Sequence, residues 1–425
     1  MRKGDVVKVA VVGLGKLGLP LACQYASHGH DVTGCDLLQE QVDAVNRGEC
    51  PVGGEEGLAN LTAALVADGK LRATTDTTSA SAEADVIVMI PPVKLHTDGS
   101  ADYGMMDRAT ASVGAGLRRG ALVVYETTLP VGDTRQRFAP MLASASGLTA
   151  GTDFSVAFSP ERVFMGRIFA DLKSYPKIVG GINPASTSAA VAFYRSVLSA
   201  EVIGVANSET AEFVKLAETT YRDVNIALAN EMARAGERLG VDAIEAFELA
   251  NSQPFSHIHS PGAGVGGHCI PVYPKLLMSR APELRIPALS RLINDEMPQV
   301  IVDALAAELG GLDGRTIAVL GLSFRNDVKE ATLSPTWPVL AQLASAGARA
   351  VLHDPWFTAE EITATGAEVG EGDPVADGTL LMAKHAPFRD LDFARGGPVV
   401  DGRPGGWAPR TAEGQRVYVV GQGWR

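Results

Sequence analysis

The stretch Ser260-Pro-Gly-Ala-Gly-Val-Gly-Gly-His-Cys-Ile-Pro-Val-Tyr-Pro274 holds the residues best suited to covalent chemistry. Four glycines in six positions (Gly262, Gly264, Gly266, Gly267) set Cys269 on a loop that a substrate could approach closely. A thiolate there can add to an aldehyde, give a thiohemiacetal and, on loss of hydride, leave a thioester. A lone cysteine is more often a small buried hydrophobe, which is the reading given to Cys23, Cys35 and Cys50. Glu161, in Phe158-Ser-Pro-Glu-Arg-Val163, is a second reactive candidate. Lys215 is a third; with Thr219 and Arg222 it falls on one face of a helix by i, i+4, i+7 spacing. Either charge could instead be solvated. For Lys215 the neighbours Phe213, Val214, Leu216 and Ala217 favour a largely buried helix.

A second kind of chemistry is written near the start. The β-branched run from Lys8 ends in Gly13-x-Gly15-x-x-Gly18 and an apolar helix pattern begins at once, through Leu17, Leu21 and Tyr25. A further run, His30 to Cys35, closes on Asp36, 18 positions after the last of these glycines. Strand, glycine turn, helix and distal acid form the arrangement of a dinucleotide fold. The glycines permit the tight turn and let backbone N–H groups meet a pyrophosphate at the helix N-terminus. Asp36 would accept hydrogen bonds from ribose hydroxyls and repel a 2′-phosphate, so NAD is expected rather than NADP.

The elements that must position these residues alternate. Strands are expected at Val6 to Val12, His30 to Cys35, Ala84 to Ile90, Ala121 to Glu126 and Phe154 to Phe158, separated by helical stretches such as Gly104 to Leu117. That is the signature of a doubly wound parallel sheet, whose ligands sit outside the carboxyl ends of its strands. Ser208 to Leu239 reads as one long helix almost free of Gly and Pro, with Ala211, Leu216, Ala227, Leu228 and Met232 among its apolar positions; Val241 to Ala250 and Pro287 to Leu309 continue the helical character. From Arg315 the opening motif repeats. Gly321 matches Gly13 and Asp354 matches Asp36, but Ser323 replaces the second glycine and Arg325 stands near the turn. This section reads as a second nucleotide fold without the dinucleotide fingerprint, able to take another phosphate-bearing ligand or to be purely structural. The division expected is 1–204, 205–309 and 310–425: two Rossmann-like α/β domains joined by a central helical section.

Composition bounds the partners. Among 425 residues, 37 Lys+Arg against 49 Asp+Glu leave a net charge of −12 with no basic block, which argues against nucleic acid and anionic membranes. An anionic substrate would have to be held by local cations and N–H groups. No stretch reaches the roughly 18 apolar residues of a membrane span. The first residues do not read as a targeting peptide. The four cysteines have no CxxC or metal-ligand spacing, so no disulfide framework and no metal is expected, and the compartment read is the reducing cytoplasm.

Five motifs in order then carry a resemblance: Gly13-Leu-Gly-Lys-Leu-Gly-Leu-Pro20, Glu126-Thr-Thr-Leu-Pro-Val-Gly132, Ser159-Pro-Glu-Arg-Val163, Lys215 to Glu231, and Gly264-Val-Gly-Gly-His-Cys-Ile-Pro271. Over essentially its whole length the chain resembles the UDP-glucose/GDP-mannose dehydrogenase family. His before Cys, with Pro-Glu-Arg-Val, is more similar to the N-acetylhexosamine branch. The resemblance implies a twofold, four-electron oxidation of a nucleotide-sugar C6 alcohol to a carboxylate with two NAD⁺, and a homodimer through the central helix. Carried over, Cys269 is the nucleophile, Glu161 the base of thioester hydrolysis, Lys215 the cation at the C6 oxygen, and Thr128 with Thr219 the holders of a catalytic water. The cofactor falls to Gly13, Leu14, Gly15, Lys16, Leu17, Gly18, Asp36, Pro91, Thr127 and Lys329. The substrate, expected to be UDP-linked, falls to Arg162, Arg222, Asn225, Gly266, His268, Arg325 and Arg403.

The chain departs from the family pattern at four places. Thr219 stands where Asn is usual, Tyr273 where Asp is usual, Met165 where the UDP-glucose branch has a second Glu, and Phe255 where an arginine commonly helps bind substrate. Cys269, Glu161 and Lys215 are intact, so the reaction is retained. Two other readings remain: a two-electron alcohol or 3-hydroxyacid-type dehydrogenase, and a catalytically silent nucleotide-sugar-binding protein.

Overall fold

The computed structural model describes residues 6–96 and 98–425. The chain divides into two compact units, Met1–Glu218 with Lys275–Ala281, and Thr219–Pro274 with Pro282–Arg425.

In the first unit eight strands form one sheet: β1 (Lys8–Val12), β2 (Asp31–Cys35), β3 (Leu71–Thr74), β4 (Val86–Met89), β5 (Leu122–Tyr125), β6 (Ser155–Phe158), β7 (Lys177–Gly181) and β8 (Val202–Gly204). Their order is β8-β7-β6-β5-β4-β1-β2-β3. The inner strands are unbroken apolar runs such as VIVM and LVVY because both faces are covered. Val9 and Val11 of β1 enter the cluster that holds Leu19, Leu21 and Tyr25 of helix α1 (Gly18–Ser27). Ala10 and Val12 enter the opposite cluster, with Met106 and Val113 of α2 (Gly104–Gly116). Alternation along one strand therefore builds two helical layers.

The strands expected from the sequence are present, each trimmed by one to three residues, and β3, β7 and β8 are additional. Neighbours are parallel except β6 and β7, which pair antiparallel through Ala157↔Gly181 and Phe158↔Gly180. The reversal is a local departure within a parallel-dominated sheet, and its cause is the connection. After β6 the chain makes one short helix, Ile168–Ser174, and re-enters beside the same strand end. The first residue of β7, Lys177, is thereby delivered to the carboxyl edge where β5 and β6 finish. Helix α3 (Pro184–Val197) then covers the sheet.

Helix α4 runs over Ser208–Leu239, 32 residues, as the near absence of Gly and Pro predicts, and stops at Gly240 with φ 71°. Ala211, Leu216 and Ala227 are buried, whereas Phe213, Leu228 and Met232 are exposed, contrary to a helix apolar on buried faces alone.

Helix α5 (Ala243–Ala250) lies in the second unit, α6 (Tyr273–Met278) begins there but from Lys275 belongs to the first, and α7 (Arg285–Leu309) is again in the second. Pro287 lies in the first turn of α7, where its missing N–H removes no helical bond. Seven strands follow: β9 (Thr316–Leu320), β10 (Arg349–His353), β11 (Glu368–Val369), β12 (Gly378–Leu381), β13 (Val399–Asp401), β14 (Val417–Val419) and β15 (Gly423–Trp424). Their order is β11-β10-β9-β12-β13-β14-β15, with only the last pair antiparallel. In both sheets the first strand is central, the second and third lie to one side, and the next three to the other. The internal repeat read from Gly13 and Gly321 is thus a repeat of topology.

Candidate functional site

The glycine turn after β1 is a cradle with one open wall. Gly13 has φ 94° and its N–H donates to the Cys35 carbonyl at 2.7 Å. A Cβ on Gly18 would lie 1.7 Å from the Gly13 carbonyl oxygen, so α1 can begin this close to the strand only with glycine there. A Cβ on Gly15 would meet nothing within 4 Å. The first turn of α1 carries no side-chain cap, so its N–H groups keep their pull on an anion. Asp36, just past β2 and partly exposed, accepts the N–H groups of Leu14 at 2.9 Å and Leu38 at 3.1 Å. The Thr127 hydroxyl donates to the Pro91 carbonyl at 2.9 Å and ties the ends of β4 and β5 together, and Pro91 borders Gly13. Gly13, Leu14, Asp36, Pro91 and Thr127 are therefore gathered at the carboxyl edge, with Lys16 exposed and Leu17 half-buried beside them. The open glycine, the uncapped helix start and the accessible acid fit a dinucleotide. Lys329, expected near the cofactor, belongs to the second unit, where its ammonium is 2.7 Å from Glu361 Oε2.

Along the same edge, β5 ends in Glu126 and β6 leads into Glu161. Glu161 accepts the Arg162 N–H on Oε1 at 2.8 Å and the Lys177 ammonium on Oε2 at 2.7 Å. Burial pushes its carboxyl up, but Lys177, the Arg162 N–H and the charge of Lys215 outweigh it and hold Glu161 below its ordinary value. The Lys215 ammonium donates to the Glu161 carbonyl at 2.6 Å, so the sequence candidates Glu161 and Lys215 do meet. Thr128, 5% exposed, stands two residues beyond Glu126. Arg162 pairs with Glu218 and donates to the Pro176 carbonyl at 3.1 Å.

Two residues here escaped the sequence reading. Glu126 is buried, accepts the hydroxyls of Tyr25 (3.0 Å) and Tyr194 on Oε1, and has Lys177 at 3.3 Å from Oε2. Burial, with the Glu161 charge, pushes its carboxyl up against the pull of Lys177. Lys177 is held above its ordinary value: burial lowers it, and the two carboxylates more than compensate. The available signal was slight, a lysine heading an apolar strand.

In the second unit Cys269 is exposed, with its sulfur 3.6 Å from the Tyr273 hydroxyl one helical turn on. The last two glycines before it lie close against Phe324. A Cβ on Gly266 would lie 2.4 Å from Phe324 Cβ, and one on Gly267 2.9 Å from the same ring. Arg403 braces the loop, donating to the carbonyls of Gly264 at 3.2 Å and Met382 at 2.8 Å. Burial pulls its guanidinium down to about 10, still cationic at neutral pH. His268 is exposed, its Nε2 3.4 Å from Glu330. Asn225 is a loop anchor, donating to the His257 carbonyl (2.8 Å) and accepting the His259 N–H (2.9 Å). Arg222, Arg325 and Phe255 are exposed, and Thr219 is buried.

The acid that matches Asp36 is closed. Asp354 is 1% exposed and accepts the N–H groups of Leu322, Ser323 and Trp356 at 2.8, 3.0 and 3.0 Å, with His385 Nε2 at 3.1 Å. Buried in this way it presents no open acceptor to a ribose, which accounts physically for a second sheet without the dinucleotide role.

Comparison with known proteins agrees with this geometry. Three family models match in sequence: the UDP-glucose/GDP-mannose dehydrogenase NAD binding domain over 7–198, central domain over 209–296 and UDP binding domain over 318–404. A relative named UDP-N-acetyl-D-mannosamine dehydrogenase from Pyrococcus horikoshii is 35% identical over 408 residues, 93% of this chain and 95% of its own. One named NDP-N-acetyl-D-galactosaminuronic acid dehydrogenase from Ralstonia solanacearum is 33% identical, covering 92% and 94%. The solved structure of the UDP-D-ManNAc dehydrogenase from Pyrococcus horikoshii superposes with a TM-score of 0.88 at 32% identity, covering 98% of this chain and 99% of that one. The open cradle, the closed second acid and these matches lead to one statement: the chain belongs to the UDP-glucose/GDP-mannose dehydrogenase family and is an NAD-dependent nucleotide-sugar dehydrogenase.

Proposed function

We propose that the chain oxidises the C6 hydroxyl of a UDP-N-acetylhexosamine, with UDP-glucose as second candidate, through two two-electron steps to the uronic acid, by way of a thioester on Cys269. The observation that carries the covalent route is the standing of Cys269. It is exposed, while burial pushes the thiols of Cys23 and Cys35 up to about 11 and about 12 and keeps them unreactive. The N-acetylhexosamine rests on the names of the relatives.

Bound NAD⁺ supplies the hydride acceptor in each oxidation. The first-turn N–H groups of α1 hold its pyrophosphate and Asp36 its ribose. The Cys269 sulfur adds to the C6 aldehyde carbon, whose oxygen takes a proton to become the thiohemiacetal hydroxyl. Loss of hydride from C6 and of that proton leaves the thioester. Lys215 stabilises negative charge on the C6 oxygen. Glu161 takes a proton from the water that attacks the thioester, the thiolate leaves, and the carboxylate is released. Thr128 and Thr219 hold that water through their hydroxyls. Arg222, Arg325 and Arg403 supply the local cations that a UDP-sugar requires on a chain of net charge −12. Arg162, Asn225, Gly266 and His268 complete the substrate set and Lys329 the cofactor set. We further propose the division 1–204, 205–309 and 310–425, a homodimer through α4, and work in a reducing compartment.

The test is NAD⁺ reduction by the purified protein on a panel of nucleotide sugars, with Cys269→Ser alongside. Two NADH per sugar with one panel member, lost in the variant, is the expected result. One NADH per sugar, unchanged in the variant, would establish the two-electron dehydrogenase instead. Tight sugar binding with no reduction would establish the silent binder.

A further inference from the structure

Lys177 is 4% exposed and lies between two buried carboxylates, 2.7 Å from Glu161 Oε2 and 3.3 Å from Glu126 Oε2, with its ammonium 4.9 Å from the Tyr194 ring centroid. The groups facing the cluster are Glu126 after β5, Glu161 after β6, Lys177 on β7, Tyr25 on α1, Tyr194 on α3 and Lys215 on α4, with Arg162 turned to Glu218. Two carboxylates sharing one close ammonium in a dry site favour taking up a proton, and the bonding shows which carboxyl suits it. Both oxygens of Glu161 accept a hydrogen bond, whereas Glu126 Oε2 is enclosed and accepts none.

We propose that Lys177 and Glu126 form a positioning pair for Glu161: the ammonium fixes the Glu161 carboxylate in its ionised form and in one orientation, and Glu126 is the carboxyl that protonates when the cluster gains a proton. The inference rests on the assignment of Glu161 as the base of thioester hydrolysis. It gives the reversed strand β7 a purpose, since only its antiparallel entry brings a lysine to this edge. Glu161 then stays able to accept a proton from water at pH values where a lone buried glutamate would already be neutral.

Infrared titration of the intact protein reads the buried carboxyl C=O bands, assigned by their loss in Glu161→Gln and Glu126→Gln. In the wild type the Glu126 band is expected first on acidification and the Glu161 band last. In Lys177→Met the Glu161 band is expected about one pH unit or more higher. The same variant is expected to lose on the order of ten-fold in kcat near pH 6, with KM unchanged and the acid limb of the profile displaced upward, and Lys177→Arg to recover both. A Glu161 band unmoved in Lys177→Met, or one that precedes the Glu126 band, overturns the inference. Should Lys177→Met fail to fold, Glu126→Gln carries the test: this neutral isostere must keep Glu161 ionised to lower pH, and an upward move overturns the inference. If the bands behave as expected but Glu161→Gln still yields two NADH per sugar at the wild-type rate, the positioning pair stands and the assignment of Glu161 as base falls.

Discussion

The Cys269 thiol donates to the Tyr273 hydroxyl at 3.6 Å, and once the thiol ionises the phenol O–H can turn to donate to the thiolate without adding charge. Removing that donor in Tyr273→Phe is expected to slow iodoacetamide alkylation of Cys269 at pH 7 by roughly three- to ten-fold. Equal alkylation rates would show that the hydroxyl does not support the thiolate. At this scale the sequence was uneven. Glu161, Lys215 and Cys269 could be singled out as candidates because reactive types sit in distinctive surroundings, and the structure joins the first two through the Glu161 carbonyl. Lys177 was not. Lys-Ile-Val-Gly-Gly reads as an ordinary strand with a solvated end, and Glu126 and Glu161 lie 51 and 16 positions away, so only the fold turns that lysine into a buried cation.

Element by element, legibility followed the kind of signal each run carries. Helix α4 was readable to its last residue because 32 positions with no Pro and a single Gly, Gly236, end at Gly240. The direction of β7 was not, since a strand buried on both faces has the same pattern whichever way it runs. Helix α4 also reaches back to cap a turn. Glu212 accepts the N–H groups of Gly132 (2.6 Å) and Thr134 (2.9 Å), and burial pushes its carboxyl up to about 7. A carboxyl with its folded pKa raised above the unfolded value of ~4.3 adds stability that is fully present below pH ~4.3 and lost as pH rises through about 7. Denaturant midpoints measured between pH 4.5 and 7.5 are expected to carry a falling contribution that Glu212→Gln removes, on the order of 3 kcal/mol. Parallel pH dependences in the two proteins would rule the titration out. The variant is also expected to be less stable at low pH, because an amide offers one acceptor oxygen where two N–H groups need partners.

For the whole molecule, Tyr221, Leu228, Met232 and Leu239 recur at spacings of 7, 4 and 7 along α4, and are 54%, 46%, 42% and 78% exposed. These spacings place all four within a narrow stripe of one helical face, the kind of continuous apolar strip that soluble chains cover by association. Leu228→Glu is expected to shift the mass seen by light scattering from dimer to monomer; a wild type already monomeric at micromolar concentration would end that proposal. Among the described residues no helix is long and apolar enough to cross a membrane. The two sheets share one strand order but treat their matching acids differently, Asp36 partly open and Asp354 walled in by three N–H groups and His385. Coenzyme preference therefore has a single address in a duplicated framework. Asp36→Ala is expected to cut the kcat/KM ratio of NAD⁺ over NADP⁺ by about ten-fold or more by lifting a repulsion, with the melting temperature little changed. The same exchange at Asp354 would leave cofactor choice untouched and lower the melting temperature instead, so an engineer redirecting this chain toward NADP⁺ can edit one copy and must leave its twin alone.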